Sequence, residues 1–253
     1  MILDLFKLNG RTALVTGGSR GLGQAIARGL AEAGADVACI SRSGDATETA
    51  RLVEGAGRKF LDLKVDLSQP EQRKLIAQRV VDEFGSLDIL VNNAGTGTRH
   101  PPEEYPENEW RDILEVHLTA SFDLSQQAAP FMFGRGRGKI VNIGSVMCYQ
   151  GGLQVPAYTA AKHGLAGLTK SLATSWSSRG INVNCIAPGY FATDLTDTLR
   201  NHVTRGPEIL DRIPCGRWGE PDDLAGLAVF LASDASNYMH GSIIPIDGGW
   251  LAR

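Results

Sequence analysis

Short apolar runs alternate along the chain with longer stretches in which apolar residues recur every three or four positions. Runs at 12–15, 37–41, 60–65, 89–92, 139–143, 181–187 and 242–246 have the length of strands, which predicts seven of them. The longer stretches predict helices: one from the Gly-rich turn after the first run to Ala33, stopped by Gly34, then 46–54, 69–84, 107–133, 157–177 and 221–232. Pro70 and Pro221 suit first helical turns, where the missing N–H goes unneeded. Strands and helices that alternate in this way predict βαβ units and a parallel sheet, an α/β fold. No linker, repeat or low-complexity stretch divides the chain, so 1–253 reads as a single domain. The one long irregular stretch, 188–219, reads as a cover over a site.

Composition narrows the function classes. With 43% hydrophobic residues in 253 and a net charge of -3, the chain can bury a large core and has no basic surplus for nucleic acid. No apolar run reaches the roughly 18 residues of a membrane span, and the first residues, broken by Asp4 and Lys7, do not read as a signal peptide. The four cysteines, Cys39, Cys148, Cys185 and Cys215, lie far apart, which predicts reduced thiols in a cytoplasmic protein. Cys39 and Cys185 read as small hydrophobes in strands; Cys148 falls near the expected pocket with nothing in the sequence to mark it as a nucleophile. No His, Cys and carboxylate cluster has metal-ligand spacing, so no metal is expected. Arg135-Gly136-Arg137-Gly138 reads as a solvated turn. The 30 glycines exceed average usage, and several of them fall at expected turns.

The first strand runs into Gly17-Gly18-Ser19-Arg20-Gly21-Leu22-Gly23 and leaves as a helix. Such a turn gathers backbone N–H groups and the positive end of a helix dipole where a pyrophosphate can sit, although it could also be only a tight connection. An acid at the end of the second strand would bind a ribose 2'-hydroxyl and repel a 2'-phosphate. Here the strand ends Ser41-Arg42. Arg42 with Arg20 could hold a phosphate, or both could be solvated arginines; the reading favours NADP(H) over NAD(H).

Tyr158 and Lys162 are four apart in a helical stretch and therefore share a face. A neighbouring ammonium should lower the pKa of a phenol, which is about 10 when unperturbed, and let it exchange a proton with a substrate oxygen. Ser145 ends a strand, where ligands of open α/β sheets bind. Each signal has a bland alternative, a surface pair or a strand stop, and their order along the chain strengthens them together.

Thr16-Gly17-x-x-x-Gly21-x-Gly23, Asp66-Leu67, Asn92-Asn93-Ala94-Gly95, Ser145, Tyr158-x-x-x-Lys162 and Pro188-Gly189 followed by Thr193 resemble the short-chain dehydrogenases/reductases over nearly the whole chain. The resemblance implies a Rossmann-type, doubly wound parallel sheet of seven strands with helices on both faces, usually in a homotetramer. It implies that Gly17, Ser19, Arg20, Gly21, Leu22 and Gly23 form the cofactor turn, with Ser41 and Arg42 beside the ribose. Asp66 would lie near the adenine, Asn93 on the adenosine side and Thr193 near the carboxamide, with Leu67, Ala94, Gly95, Pro188 and Gly189 also among the cofactor-binding residues. Lys162 would hold the nicotinamide ribose, Tyr158 would donate the proton and Ser145 would orient the reacting oxygen during hydride transfer.

One position departs from the family pattern. His117 stands where an Asn usually completes a proton relay; an imidazole could relay by changing charge near neutrality, or could simply pack. In the C-terminal third, Tyr149-Gln150-Gly151-Gly152, Val155-Pro156-Ala157-Tyr158, Gly216-Arg217-Trp218-Gly219 and the final Asp247-Gly248-Gly249-Trp250 resemble a branch of the family that acts on keto-deoxy sugar acids. For such a small-molecule substrate Arg99 is the candidate carboxylate contact and Gln150 a hydroxyl contact, beside Ser145 and Tyr158. Arg212 and Arg217 are further candidates, although an Arg217-Trp218 stack would be structural. A reductase of oxoacyl thioesters and a non-catalytic NADP-binding regulator are the competing readings.

Overall fold

The computed structural model describes residues 1–253. Its strands are β1 Thr12–Thr16, β2 Asp36–Ser41, β3 Phe60–Lys64, β4 Ile89–Asn92, β5 Gly138–Ile143, β6 Ile181–Pro188 and β7 Ile243–Ile246. They form one parallel sheet in the order β3-β2-β1-β4-β5-β6-β7. The helices are α1 Gly21–Glu32, α2 Thr47–Gly55, α3 Pro70–Arg73, α4 Ile76–Phe84, α5 Glu107–Leu114, α6 Ala120–Arg135, α7 Pro156–Trp176, α8 Asp194–Arg200, α9 Arg205–Arg212 and α10 Pro221–Ala232.

Successive strand side chains point to opposite faces, and here both faces are covered. Ala13 and Val15 of β1 enter one apolar cluster with α1 and α10; Leu14, between them, enters the other with α4, α6 and α7. In β2, Val37 and Cys39 divide from Ala38 and Ile40 in the same way. This two-sided burial is why these strands read as continuous apolar runs.

Three regions differ from the sequence reading. The 69–84 stretch is two helices, because Leu75 takes a left-handed φ of 60°. The break follows Arg73, whose buried guanidinium bonds Leu67 O at 2.6 Å and Asp123 at 2.9 Å and pairs with Glu115 at 2.6 Å. The 188–219 stretch holds two short helices, α8 and α9; α8 begins where the Thr193 N–H donates to Thr196 Oγ1 at 3.1 Å. The long helix predicted at 107–133 is present but contains a π-helical turn, Glu115–Thr119, between α5 and α6, and His117 sits in it. No helix is long and apolar enough to cross a membrane. Arg135 and Arg137 do more than line a solvated turn: they lie 3.1 and 3.4 Å from the buried carboxylate of Asp88 at the amino edge of the sheet.

A buried polar chain fixes the carboxyl end. Asn92 Nδ2 donates to Asn142 Oδ1 at 2.8 Å, and Asn142 Nδ2 donates to Thr169 Oγ1 at 2.9 Å, tying β4, β5 and α7 together. Asn142→Leu would remove both bonds from the core, leaving Asn92 Nδ2 only its longer contacts to Ser121 O at 3.4 Å and Ser125 Oγ at 3.3 Å, and Thr169 only its bond to Leu165 O. It should lower unfolding stability by about 2 kcal/mol, and a loss below about 0.5 kcal/mol in chemical denaturation would contradict this role.

Candidate active site

The chain leaves β1 through Gly17, at a φ of 63°, and starts α1 at Gly21. A Cβ on Gly23 would lie 2.1 Å from Gly17 O, so the turn closes only around glycine there. The first turn of α1 has no side-chain cap and no acid, leaving its N–H groups and dipole open to an anion. The residues present therefore fit a dinucleotide pyrophosphate. Ser19 O is taken by Gln24 Nε2 at 3.2 Å, and Leu22 is half-buried beside the turn.

The turn is locked to the end of β4. Thr16 Oγ1 accepts from the N–H groups of Asn93 at 2.9 Å and Ala94 at 2.8 Å, while Asn93 Nδ2 donates to Thr16 O at 2.8 Å and Gly17 O at 3.2 Å. Asn93 thus spends its amide N–H groups bracing the turn. At the end of β2, Ser41 Oγ accepts from the Gly44 N–H at 3.0 Å. Asp66 Oδ1 is engaged by Ser68, and Leu67 is buried with its carbonyl on Arg73. The structure separates the two arginines. Arg20 lies 3.1 Å from Asp194 at the start of α8, a largely exposed pair, whereas Arg42 is exposed and makes no ion pair.

Ser145, Tyr158, Lys162 and His117 converge beyond the ends of β4 and β5. Ser145 is buried and its Oγ accepts from the Met147 N–H at 3.2 Å. Lys162, buried in α7, donates from Nζ to Ile143 O at 2.6 Å and lies 5.4 Å from the centroid of the Tyr158 ring. Burial pushes the Tyr158 phenol up to about 12, against the pull of the Ser145 hydroxyl. Burial also pushes Lys162 down to about 8. The lowered phenol pKa expected from the sequence is thus not the resting condition, because desolvation outweighs a lysine committed to Ile143 O.

His117 packs edge-on against Tyr158, with ring centroids 5.2 Å apart. A Cβ on Gly95 would lie 2.5 Å from His117 Cε1, so the ring occupies the space a side chain there would need. Its Nε2 contacts Thr96 O at 2.7 Å and the Thr96 N–H at 3.0 Å, and its Nδ1 is buried without a partner. Burial, with the nearby charge of Lys162, pushes the imidazole down to about 3. The ring is therefore uncharged near neutrality, and a proton could pass through it only by exchange between neutral tautomers. Across the site, Pro188 ends β6 and Gly189 packs where a Cβ would meet Asp247 Cα at 2.7 Å. Thr193 faces the phosphate turn, its Cγ2 3.7 Å from a Cβ position on Gly21.

Above these groups Arg99 bonds Leu153 O at 3.1 Å, and the charges of Arg99, Arg205 and Arg212 bear on Tyr190. Desolvation and then the like charge of Arg205 push Arg99 below its usual range. None of the three arginines has a carboxylate partner. Arg212 stacks 3.9 Å from the Trp250 ring, and Tyr190 packs on the same ring at 4.5 Å. Gln150 Oε1 accepts from Trp250 Nε1 at 3.2 Å. Arg217 is not stacked on Trp218; it makes a bidentate pair with Asp223 at 2.6 and 2.9 Å and leaves the mouth to the other three. Arg205 and Tyr190 escaped the sequence reading because only the folding of 188–219 into α8 and α9 returns them to the site.

Residues 17–251 match a family model described as enoyl-(acyl carrier protein) reductase. The chain is also 51% identical over 250 residues to the 2-dehydro-3-deoxy-D-gluconate 5-dehydrogenase of Bacillus subtilis (strain 168), covering 99% of this chain and 98% of the relative. The chain belongs to the short-chain dehydrogenase/reductase family. Like that family, it is an NAD(P)-dependent oxidoreductase acting on a hydroxyl group. Its relative of the same description in Escherichia coli (strain K12) is 49% identical over 254 residues and the full length of both chains. A gluconate 5-dehydrogenase from Burkholderia cenocepacia J2315, solved in complex with NADP and tartrate, superposes with a TM-score of 0.95 at 37% identity over the full length of both chains.

The buried environment of His117 has a direct test. In 15N-histidine NMR of this short-chain dehydrogenase/reductase, His117 should remain neutral down to pH 5, and a His117 midpoint near 6 would contradict the burial described here.

Proposed function

We propose that this chain is an NADP(H)-preferring dehydrogenase of keto-deoxy sugar acids, of the 2-dehydro-3-deoxy-D-gluconate 5-dehydrogenase type. The observation that carries the reading is the set of guanidiniums without carboxylate partners, Arg99, Arg205 and Arg212, gathered around Tyr190, which in turn neighbours Tyr158. Like charges held together without a counterion are relieved by an anionic substrate, and an arginine suits a carboxylate through bidentate contact. The names of relatives at 51% and 49% identity agree with that substrate class. The reading takes 1–253 as one catalytic domain, working as a cytoplasmic homotetramer without nucleic acid or membrane partners.

In this reading Arg99 and Arg205 hold the carboxylate and Gln150 meets a hydroxyl. Ser145 Oγ and the Tyr158 hydroxyl both bond the reacting oxygen. When bound, the nicotinamide supplies or accepts the hydride. Tyr158, protonated at neutrality, gives its proton to the oxygen during reduction, and Lys162 supports the phenolate left behind. His117 forms the wall that holds the Tyr158 ring, and it enters as a positioning residue. NADP preference rests on Arg42 and on the absence of an acid at Ser41-Arg42.

Lys162 carries its charge below about pH 8, so reduction should slow as pH rises through that value. Initial rates with keto-deoxy sugar acids, neutral sugars and oxoacyl thioesters, each with NADPH and NADH, test the reading. Sugar acids with NADPH should lead, and a preference for thioesters would overturn the substrate assignment. Tyr158→Phe should lower kcat about 10³-fold while cofactor affinity holds. Arg99→Ala and Arg205→Ala should each raise KM about 10-fold for the acid and little for a neutral analogue; equal effects on both would refute carboxylate binding.

A further inference from the structure

Cys148 lies in the turn that follows Ser145, and Cys185 lies in β6 next to β5. They are distant in sequence, yet their side chains meet over Gly144: a Cβ placed on Gly144 would sit 2.7 Å from each sulfur, so the two sulfurs are no further apart than twice that distance. Cys148 Sγ also lies 3.2 Å from the carbonyl of Lys162, and the Cys148 N–H bonds Ser145 O at 2.8 Å. The pair is therefore attached to the catalytic cluster at two points.

We propose that Cys148 and Cys185 are an oxidative modification site, in which a hydroperoxide oxidises Cys148, Cys185 closes a disulfide with it, and the enzyme is reversibly switched off. Geometry supplies the partner, and the surroundings supply the reactivity. The neighbouring Cys185 thiol lowers the pKa of the Cys148 thiol, with help from the backbone contact at Ser145 and the charge of Lys162, while desolvation opposes them. Cys148 is half-buried and Cys185 is buried. The other thiols lack this arrangement. Cys39 is buried, with its thiol pushed up by desolvation, and exposed Cys215 faces only the Arg217 carbonyl.

The chemistry balances in two steps. The Cys148 thiolate attacks the peroxide; an S–O bond forms, the O–O bond breaks, and an alcohol or water leaves with the reduced oxygen. Cys185 sulfur then attacks the sulfenic sulfur; the S–S bond forms, the S–O bond breaks, and the Cys185 proton leaves in water. Drawing Cys148 onto β6 breaks its contact with the Lys162 carbonyl and pulls on Ser145, so loss of turnover follows.

Treating the whole enzyme with hydrogen peroxide, followed by peptide mass mapping and an activity assay, tests this. The expected result is a Cys148–Cys185 linked peptide, at least about 10-fold loss of turnover, and recovery of both with dithiothreitol. Cys148→Ser should keep its activity under the same treatment, and Cys185→Ala should accumulate a dimedone-reactive Cys148 sulfenate. Mapping reads the disulfide without reference to substrate, so it stands even if the role given to Ser145 fails. Absence of the linked peptide, or equal inactivation of Cys148→Ser, would overturn the proposal.

Discussion

The hydroxyl of Thr16 is the joint on which the site depends. It accepts the backbone N–H groups of both Asn93 and Ala94, and Asn93 returns two bonds to the carbonyls of the glycine turn. Four hydrogen bonds thus hold the end of β1 against the end of β4, at the point where the strand order reverses direction. The open N-terminus of α1 and the loop that begins Asn93-Ala94-Gly95 inherit their relative placement from this joint. The Asn92–Asn142–Thr169 chain extends the same logic to β5 and α7, carrying it to Ser145, Tyr158 and Lys162.

Those last groups share a desolvated corner. Burial acts in opposite directions on an acid and a base, raising the Tyr158 phenol while lowering Lys162 and His117, so at neutrality Tyr158 and His117 are uncharged while Lys162 keeps its charge up to about pH 8. A proton resting on Tyr158 is ready for donation, and the arginines add positive charge at the mouth, apart from the Lys162 ammonium at the reacting centre. In the proposed reading, substrate charge and proton transfer are handled in different places, so an anionic substrate binds without holding the phenol ionised.

Much of this was legible in the chain. Two-sided burial left continuous apolar strands, and a helix displays Tyr158 and Lys162 on one face at a spacing of four. The less legible parts depend on distant contacts. Leu75 leaves the helix beside Arg73, which is drawn inward by Leu67, Asp123 and Glu115, and no local periodicity records that demand. Arg20 is as visible as Arg42 in the sequence, but only the fold brings Asp194 to it. Arg205 and Tyr190 sit in a stretch with weak periodicity, and the approach of Cys185 to Cys148 is a property of neighbouring strands rather than of neighbouring residues.

The central claim, that this site passes a hydride to the carbonyl of a sugar acid, is tested most directly by following the transferred atom. With NADPH deuterated at the transferable position of nicotinamide C4, the account predicts deuterium on the new carbinol carbon of the reduced sugar acid, detected by NMR. Consumption of the cofactor with no deuterium on that carbon, or faster transfer to an oxoacyl thioester than to the acid, would contradict it.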